Sequence, residues 1–216
     1  MIVAAPLLAP PEQRVRLSDV PWDVYVAFCD GIGERYIRMT YDQGELEIMS
    51  DSRTHEVEKS RLRRLTYALT EELDIDIASG GSMTCRNEQM RRALEPDECF
   101  WVAHELEVRG RGDIDLDVDP PPDLAFEVEI SRSALGRMAI YEALRVPEVW
   151  RWDGATLNVH LLTSRGTYRA SKRSKAFPFL PLNEFTHFLT RTDPGETNLI
   201  RAFRVWVAEH REGWRR

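Results

Sequence analysis

The chain has 216 residues, 43% of them hydrophobic and 30% charged, with 12 glycines, 12 prolines and 3 cysteines. This composition excludes collagen-like, disulfide-scaffold and wholly disordered chains, and no apolar run approaches the roughly 18 residues of a membrane-spanning helix. The net charge of −7 lacks the basic surplus of many nucleic-acid-binding domains, yet leaves room for a local basic groove because charges are screened over about 10 Å. Cys29, Cys85 and Cys99 form no C-x-x-C pair, which points to a reducing compartment, the cytoplasm, and away from structural zinc. Only Lys59, Lys172 and Lys175 are lysines, so 26 of the 29 basic residues are arginine.

The apolar start, Met1 to Pro11, has no basic residue before Arg14 and is broken by prolines. Residues 1–16 are therefore expected to form a flexible leader rather than a secretory signal, with a single domain over residues 17–216. Val20 to Asp30 carries apolar residues at helical spacing and ends at Gly31 and Gly33. Tyr36–Tyr41 and Glu45–Met49 alternate with period two around Asp42-Gln43-Gly44, which predicts a hairpin. Thr54 to Leu73 is the clearest helix. Its stripe of Leu62, Leu65, Leu69 and Leu73 continues backwards onto Glu58 and His55, so two ionisable side chains open a face that should pack on a sheet.

Short strands are expected at Ile75–Ala78, Ser82–Arg86 and Glu98–Val102, followed by Pro120-Pro121-Pro122 and a strand over Asp123–Ile130. Ser133–Leu144 reads as a helix, Glu148–Trp152 and Leu157–Leu162 as strands, and Thr197–Glu209 as a closing helix. Strands and helices mix without strict alternation, giving an α/β (α+β) class with one mixed sheet flanked by helices.

On the strand Leu124–Ile130, Leu124, Phe126, Val128 and Ile130 share one face and Asp123, Ala125, Glu127 and Glu129 the other. Glu127 and Glu129 project together, about 7 Å apart along the backbone. Two adjacent carboxylates repel unless the face is merely solvated or a cation lies between them, and Mg2+ takes oxygen ligands of this kind. Glu95-Pro96-Asp97-Glu98, just before the apolar run Cys99–Val102, supplies a further acidic position. Together these form a minimal hard-metal site, of the sort that activates water against a phosphodiester.

Three stretches carry a resemblance. Pro122-Asp-Leu-Ala-Phe-Glu-Val-Glu-Ile-Ser131 with Ile140-Tyr-Glu-Ala-Leu-Arg-Val-Pro-Glu-Val-Trp-Arg-Trp-Asp-Gly154, Gly44-Glu-Leu-Glu-Ile-Met-Ser50 followed by His55, and Leu94-Glu-Pro-Asp-Glu-Cys-Phe100 occur in the order of the Uma-two family. The chain resembles that family, restriction endonucleases of the PD-(D/E)XK nuclease superfamily, from about Leu17 to the C-terminus. The resemblance implies a restriction-endonuclease-like twisted mixed sheet and a Mg2+ site, with Mn2+ as a substitute. It assigns Asp97 and Glu127 as metal ligands and endodeoxyribonuclease chemistry as the activity. Glu129 stands where the wider superfamily often places a lysine. The family's own lysine, four residues before Tyr141, is here Arg137, a departure. Arginine can offset charge on a phosphoryl group but cannot exchange a proton near neutrality.

The remaining candidates follow from the same comparison. His55 matches a family motif position and would orient water or a ligand, and Glu45 and Glu47 are either surface residues of the hairpin or accessory groups beside the metal. Trp150 and Trp152 read as core or interface. The run Arg165–Lys175 holds five basic residues and one tyrosine, the best local candidate for contact with DNA phosphates. A homodimer would suit a two-fold duplex target. The competing reading is a catalytically silent member that binds nucleic acid or a protein partner, favoured by Arg137 and the acidic charge.

Overall fold

The computed structural model describes residues 12–32, 37–130, 135–192 and 195–214. Residues 1–11 of the expected leader, Gly33, Tyr36 and Ser133 lie outside the described residues.

Two sheets organise the chain. The first has five antiparallel strands: β1 (Gln13–Leu17), β2 (Arg38–Asp42), β3 (Glu45–Ser50), β5 (Cys85–Asn87) and β6 (Arg92–Leu94), in the order β1-β3-β2-β6-β5. The second has six strands, with β4 (Ala78–Ser79), β7 (Glu98–Trp101), β8 (Leu124–Val128), β9 (Glu148–Trp152), β10 (Leu157–Leu162) and β11 (Tyr168–Ser171) in the order β11-β10-β9-β8-β7-β4. Among the described residues only the central β8–β9 pair is parallel, and the pairs on either side are antiparallel. The helices are α1 (Trp22–Ile32), α2 (Arg53–Leu73), α3 (Glu105–Val108), α4 (Arg137–Ala143), α5 (Leu182–Thr190) and α6 (Glu196–Trp214).

This is the expected α+β architecture with mixed sheet pairing and flanking helices, but it has two sheets where one was expected. The structure also corrects the leader boundary. Gln13–Arg16, assigned to the leader, pair in strand β1 against Glu47–Ser50. Their alternation was hidden because four of the five β1 side chains face solvent, which removes the apolar period that marks a strand.

The second sheet is packed on both faces. Phe100, Leu124, Phe126, Val128, Trp150 and Trp152 pack with α2, α5 and α6. Ala125, Val149, Cys99 and Trp101 pack on the other side with Ile140 and Tyr141 of α4 and with Cys85 and Leu94 of the first sheet. Phe126 and Trp150 face each other across the β8–β9 register and stack at 5.3 Å, so Trp150 and Trp152 are core residues rather than interface residues. A third cluster seats α1, through Tyr25, on Met39, Tyr41 and Leu46 of the first sheet.

Helix α2 begins where its sequence predicts. The Ser52 hydroxyl caps it, accepting from the His55 backbone N–H at 3.2 Å, and Asp74, in the left-handed region, closes it. Leu62, Leu65 and Leu69 of the stripe are buried as expected, while Leu73 and Glu58 are half-buried. His55 is 1% exposed, and Glu58 accepts a hydrogen bond from the Trp152 indole at 2.8 Å.

Candidate active site

The site begins at Asp97, one residue before β7. Its backbone N–H donates to the Phe126 carbonyl at 3.0 Å and its Oδ2 accepts the Val128 N–H at 2.5 Å. The chain therefore grips β8 on both sides of Glu127. Pro96 cannot donate a backbone hydrogen bond, and Asp97 takes up the ladder one residue later. The other oxygen, Oδ1, meets the Arg38 guanidinium and lies 2.9 Å from His55 Nε2. Arg38 opens β2 and His55 sits in the first turn of α2, so three elements converge on one carboxylate.

Asp51, immediately before the α2 cap and four residues before His55, completes the cluster. Asp51 Oδ1 accepts from Arg38 Nη2 at 2.5 Å and from Nε at 3.1 Å. Arg38 Nη2 is also 2.9 Å from His55 Nε2. On its far side the imidazole Nδ1 is 2.8 Å from Glu12, Glu12 pairs with Arg14 at 3.3 Å, and Arg14 pairs with Glu47 at 2.9 Å. Glu47, one of the two accessory candidates, is thus buried and linked to His55 through Arg14 and Glu12. Glu45, the other, is at the hairpin end, where it holds Arg16 and Ser18 at 2.8 and 2.9 Å, away from this cluster.

Burial, and then the Arg38 charge, push the His55 pKa down, against the opposing pull of Asp51 and Glu12. Burial opposes the charge of Asp51, but the charges of Arg38 and His55 and its hydrogen bonds together outweigh it and hold the carboxyl below its usual range. Both imidazole nitrogens face a carboxylate, Nδ1 towards Glu12 and Nε2 towards Asp97 Oδ1, and Arg38 Nη2 is a second neighbour of Nε2.

Glu127 lies on β8 between the two backbone groups that hold Asp97. The fork of Arg137, at the start of α4, closes on it through Nε and Nη2 at 2.8 and 2.7 Å, and the Tyr141 hydroxyl donates to the same carboxylate. Arg137 also reaches Thr40 of β2 at 2.5 Å and the Glu95 carbonyl at 2.7 Å. Burial works against the charge of Arg137, but Glu127 and Tyr141 outweigh it and hold its pKa above the ordinary arginine value. Burial, and then Glu127, push the Tyr141 phenol well above its ordinary value. Neither group can therefore release a proton near neutrality. Glu129, one step along the strand, forks with Arg151 of β9 at 2.8 and 2.7 Å and is about one-third exposed.

The structure thus brings Asp97 and His55 together and sets the Glu127–Arg137 pair beside them through β8 and the Glu95 carbonyl, while Glu129 belongs to a separate ion pair. Among the described residues, the acidic and histidine side chains that could hold a metal ion are Asp51, His55 and Asp97, whose ligand atoms lie within 4.8 Å of one another. Two carboxylates suit Mg2+ or Mn2+, and an imidazole is a donor that transition ions accept more readily than Mg2+. The donors fit a divalent ion in type and spacing. Sequence reasoning missed Asp51, Arg38 and Glu12. The spacing Asp51-x-x-x-His55 across a helix start was a usable signal for the first, whereas Arg38 and Glu12 are brought in only by strand pairing and long-range packing.

The profile of the Uma2 family, described as "Putative restriction endonuclease", matches residues 22–191, most of the chain and all of the site but Glu12 and Arg14. The chain belongs to the Uma2 family. No curated protein matches it in a sequence search. Arg137 of this Uma2 protein is fully engaged by Glu127, Thr40 and the Glu95 carbonyl. The basic run Arg165–Lys175 is not a plain loop: it includes edge strand β11, with Arg165, Arg169, Lys172, Arg173 and Lys175 all exposed. Strand β11 lies three strand spacings, about 14 Å, from β8. No helix among the described residues is long and apolar enough to cross a membrane.

Two predictions follow from these pairs. Glu127→Ala leaves the Arg137 charge buried without its partner and is expected to destabilise the fold by about 3–5 kcal/mol in urea denaturation. The apolar double variant Glu127→Leu, Arg137→Met should recover most of that loss, and equal losses in both variants would contradict the pairing. For His55, the folded pKa lies below the ordinary 6.5, so the unfolded chain binds a proton that the folded chain resists. Its contribution to stability is intact above about pH 6.5 and is lost as pH falls from there towards the folded value. The thermal midpoint of His55→Asn should therefore fall less steeply between about pH 7 and 5 than that of the wild type. His160, also depressed, by burial and then Arg151, is common to both proteins and cancels. Equal slopes would contradict this assignment.

Proposed function

We propose that this protein is a divalent-metal-dependent endonuclease that hydrolyses DNA phosphodiester bonds, with Mg2+ or Mn2+ held by Asp97, His55 and Asp51. The observation that carries the reading is the convergence of two carboxylates and an imidazole from the start of α2 and the approach to β7, beside the Glu127–Arg137 pair held between β8 and α4. A metal ion there would supply Lewis-acid polarisation of a phosphate oxygen and a more acidic bound water.

The chain's own residues have distinct tasks in this scheme. Glu12 fixes the tautomer and orientation of His55 by accepting its Nδ1 proton. Asp97, tied to β8 by the Phe126 and Val128 backbone, holds its other oxygen beside His55. Glu127 is a carboxylate already satisfied by three donors, so it serves to place Arg137 more than to bind the ion directly. Arg137 provides fixed positive charge for the phosphoryl group and takes no part in proton transfer. The exposed arginines and lysines of β11 and its flanks offer sequence-independent phosphate contacts. A pair of chains would serve a two-fold duplex, and the three free cysteines fit the reducing cytoplasm.

A second reading rests on Arg137. With no lysine at that position, and with Glu127 closed by a fork, the protein would bind DNA or a protein partner without cutting. Nicking of supercoiled plasmid in Mn2+ and Mg2+ decides between them. Cleavage that falls on the order of a hundredfold in Asp97→Asn and in His55→Ala is the expected result. Cleavage unchanged in Asp97→Asn contradicts the first reading, and DNA retention without any cleavage by the wild type supports the second.

A further inference from the structure

Each member of the Asp51–His55–Asp97 cluster is bonded to one guanidinium. Arg38 Nη1 meets Asp97 Oδ1, Nη2 meets Asp51 Oδ1 at 2.5 Å and His55 Nε2 at 2.9 Å, and Nε meets Asp51 again at 3.1 Å. The Arg38 residue is 7% exposed, so these contacts are made out of bulk water, where a charge needs its partners most. The atoms that would ligate a cation are the same atoms that Arg38 holds.

We propose that Arg38 is the resident counter-ion of this cradle and that a divalent cation enters only when the guanidinium withdraws, so that Arg38 sets the metal affinity. The inference rests on the reading of the cradle as a metal site and adds the element that regulates it.

A second observation points the same way. The cluster gathers two carboxylates around one imidazole, with Asp97 Oδ1 2.9 Å from His55 Nε2 and Asp51 Oδ1 3.7 Å from its Nδ1. Carboxylates gathered this closely repel unless positive charge lies between them or beside them. Arg38 supplies one unit of charge to two carboxylates and an imidazole, and a divalent cation supplies two at the same point. The cradle therefore has a monovalent occupant built into the fold and a donor set suited to a divalent one. Arginine makes the exchange feasible, because its long stem can swing while its charge never titrates away.

Withdrawal is a minor state of the metal-free protein, and an affinity measured through a minor state is weakened by the fraction competent to bind. A competent fraction of about one to ten per cent lowers the apparent affinity on the order of ten- to a hundredfold. Removing the guanidinium should return that factor.

The test is Mn2+ binding by calorimetry to the full-length wild type, Arg38→Met, Arg38→Lys and Asp97→Asn, with folding checked by circular dichroism. Arg38→Met is expected to bind Mn2+ on the order of ten- to a hundredfold more tightly than the wild type and to gain more thermal stability from it. Arg38→Lys, a cation without the fork, should fall between the two, and it carries the test if Arg38→Met folds only with Mn2+ present. Wild-type affinity equal to or tighter than that of both Arg38 variants, with binding abolished in Asp97→Asn, overturns the displacement proposal and leaves the metal reading standing. Binding that is absent throughout, or indifferent to Asp97→Asn, overturns the metal reading itself, and this proposal with it.

Discussion

Asp97 has one carboxylate and uses it twice. One oxygen accepts the backbone of β8 at Val128, and the other faces Arg38 of the first sheet and His55 of the long helix. A buried carboxylate is costly unless its charge is met, so the fold must bring β2 and the start of α2 to this point and hold them there. The two sheets and the α2 layer are therefore locked together by a polar contact at the place where the chemistry would occur, while the aromatic stack of Phe126 and Trp150 fills the core behind it.

Each acidic candidate residue is met by arginine in this chain. Asp97 has Arg38 and Glu127 has Arg137, and Glu129, further along, has Arg151. Arginine suits this use because its planar fork satisfies both oxygens of a carboxylate and keeps its charge at any accessible pH. The same property sets a limit on what these residues can do: arginine can orient and neutralise, but it cannot exchange a proton near neutrality. The near-absence of lysine, three residues in the whole chain, thus reaches into the site itself at the position of Arg137.

Much of this was legible beforehand where a pattern is local. The leucine stripe of α2, the hairpin turn at Gln43-Gly44, the exact extents of β9 and β10, and the opposed faces of β8 all follow from period and turn chemistry, and the order of motifs carried the family. His55 was legible because it continues an apolar stripe. What stayed hidden is non-local or unpatterned. Strand β1 has a solvent-facing pattern, β6 is only Arg92–Leu94, and β11 is concealed in a run of basic residues. Helix α5, with Phe185, Phe188 and Leu189 buried, follows a proline-rich approach that masks its start. The partners of the site residues were least legible of all. Nothing in the sequence joins Arg38 to Asp97, or Arg14 to Glu47, because those contacts exist only once strand register is set.

The most direct measurement is anomalous diffraction from crystals of the wild-type protein soaked in Mn2+. The account predicts a single anomalous peak bounded by Asp51, His55 and Asp97, with the Arg38 side chain moved out of the cradle and the Glu127–Arg137 fork intact. Mn2+ density at Glu127 and Glu129 instead, or a cradle still closed on Arg38 at saturating Mn2+, would contradict it.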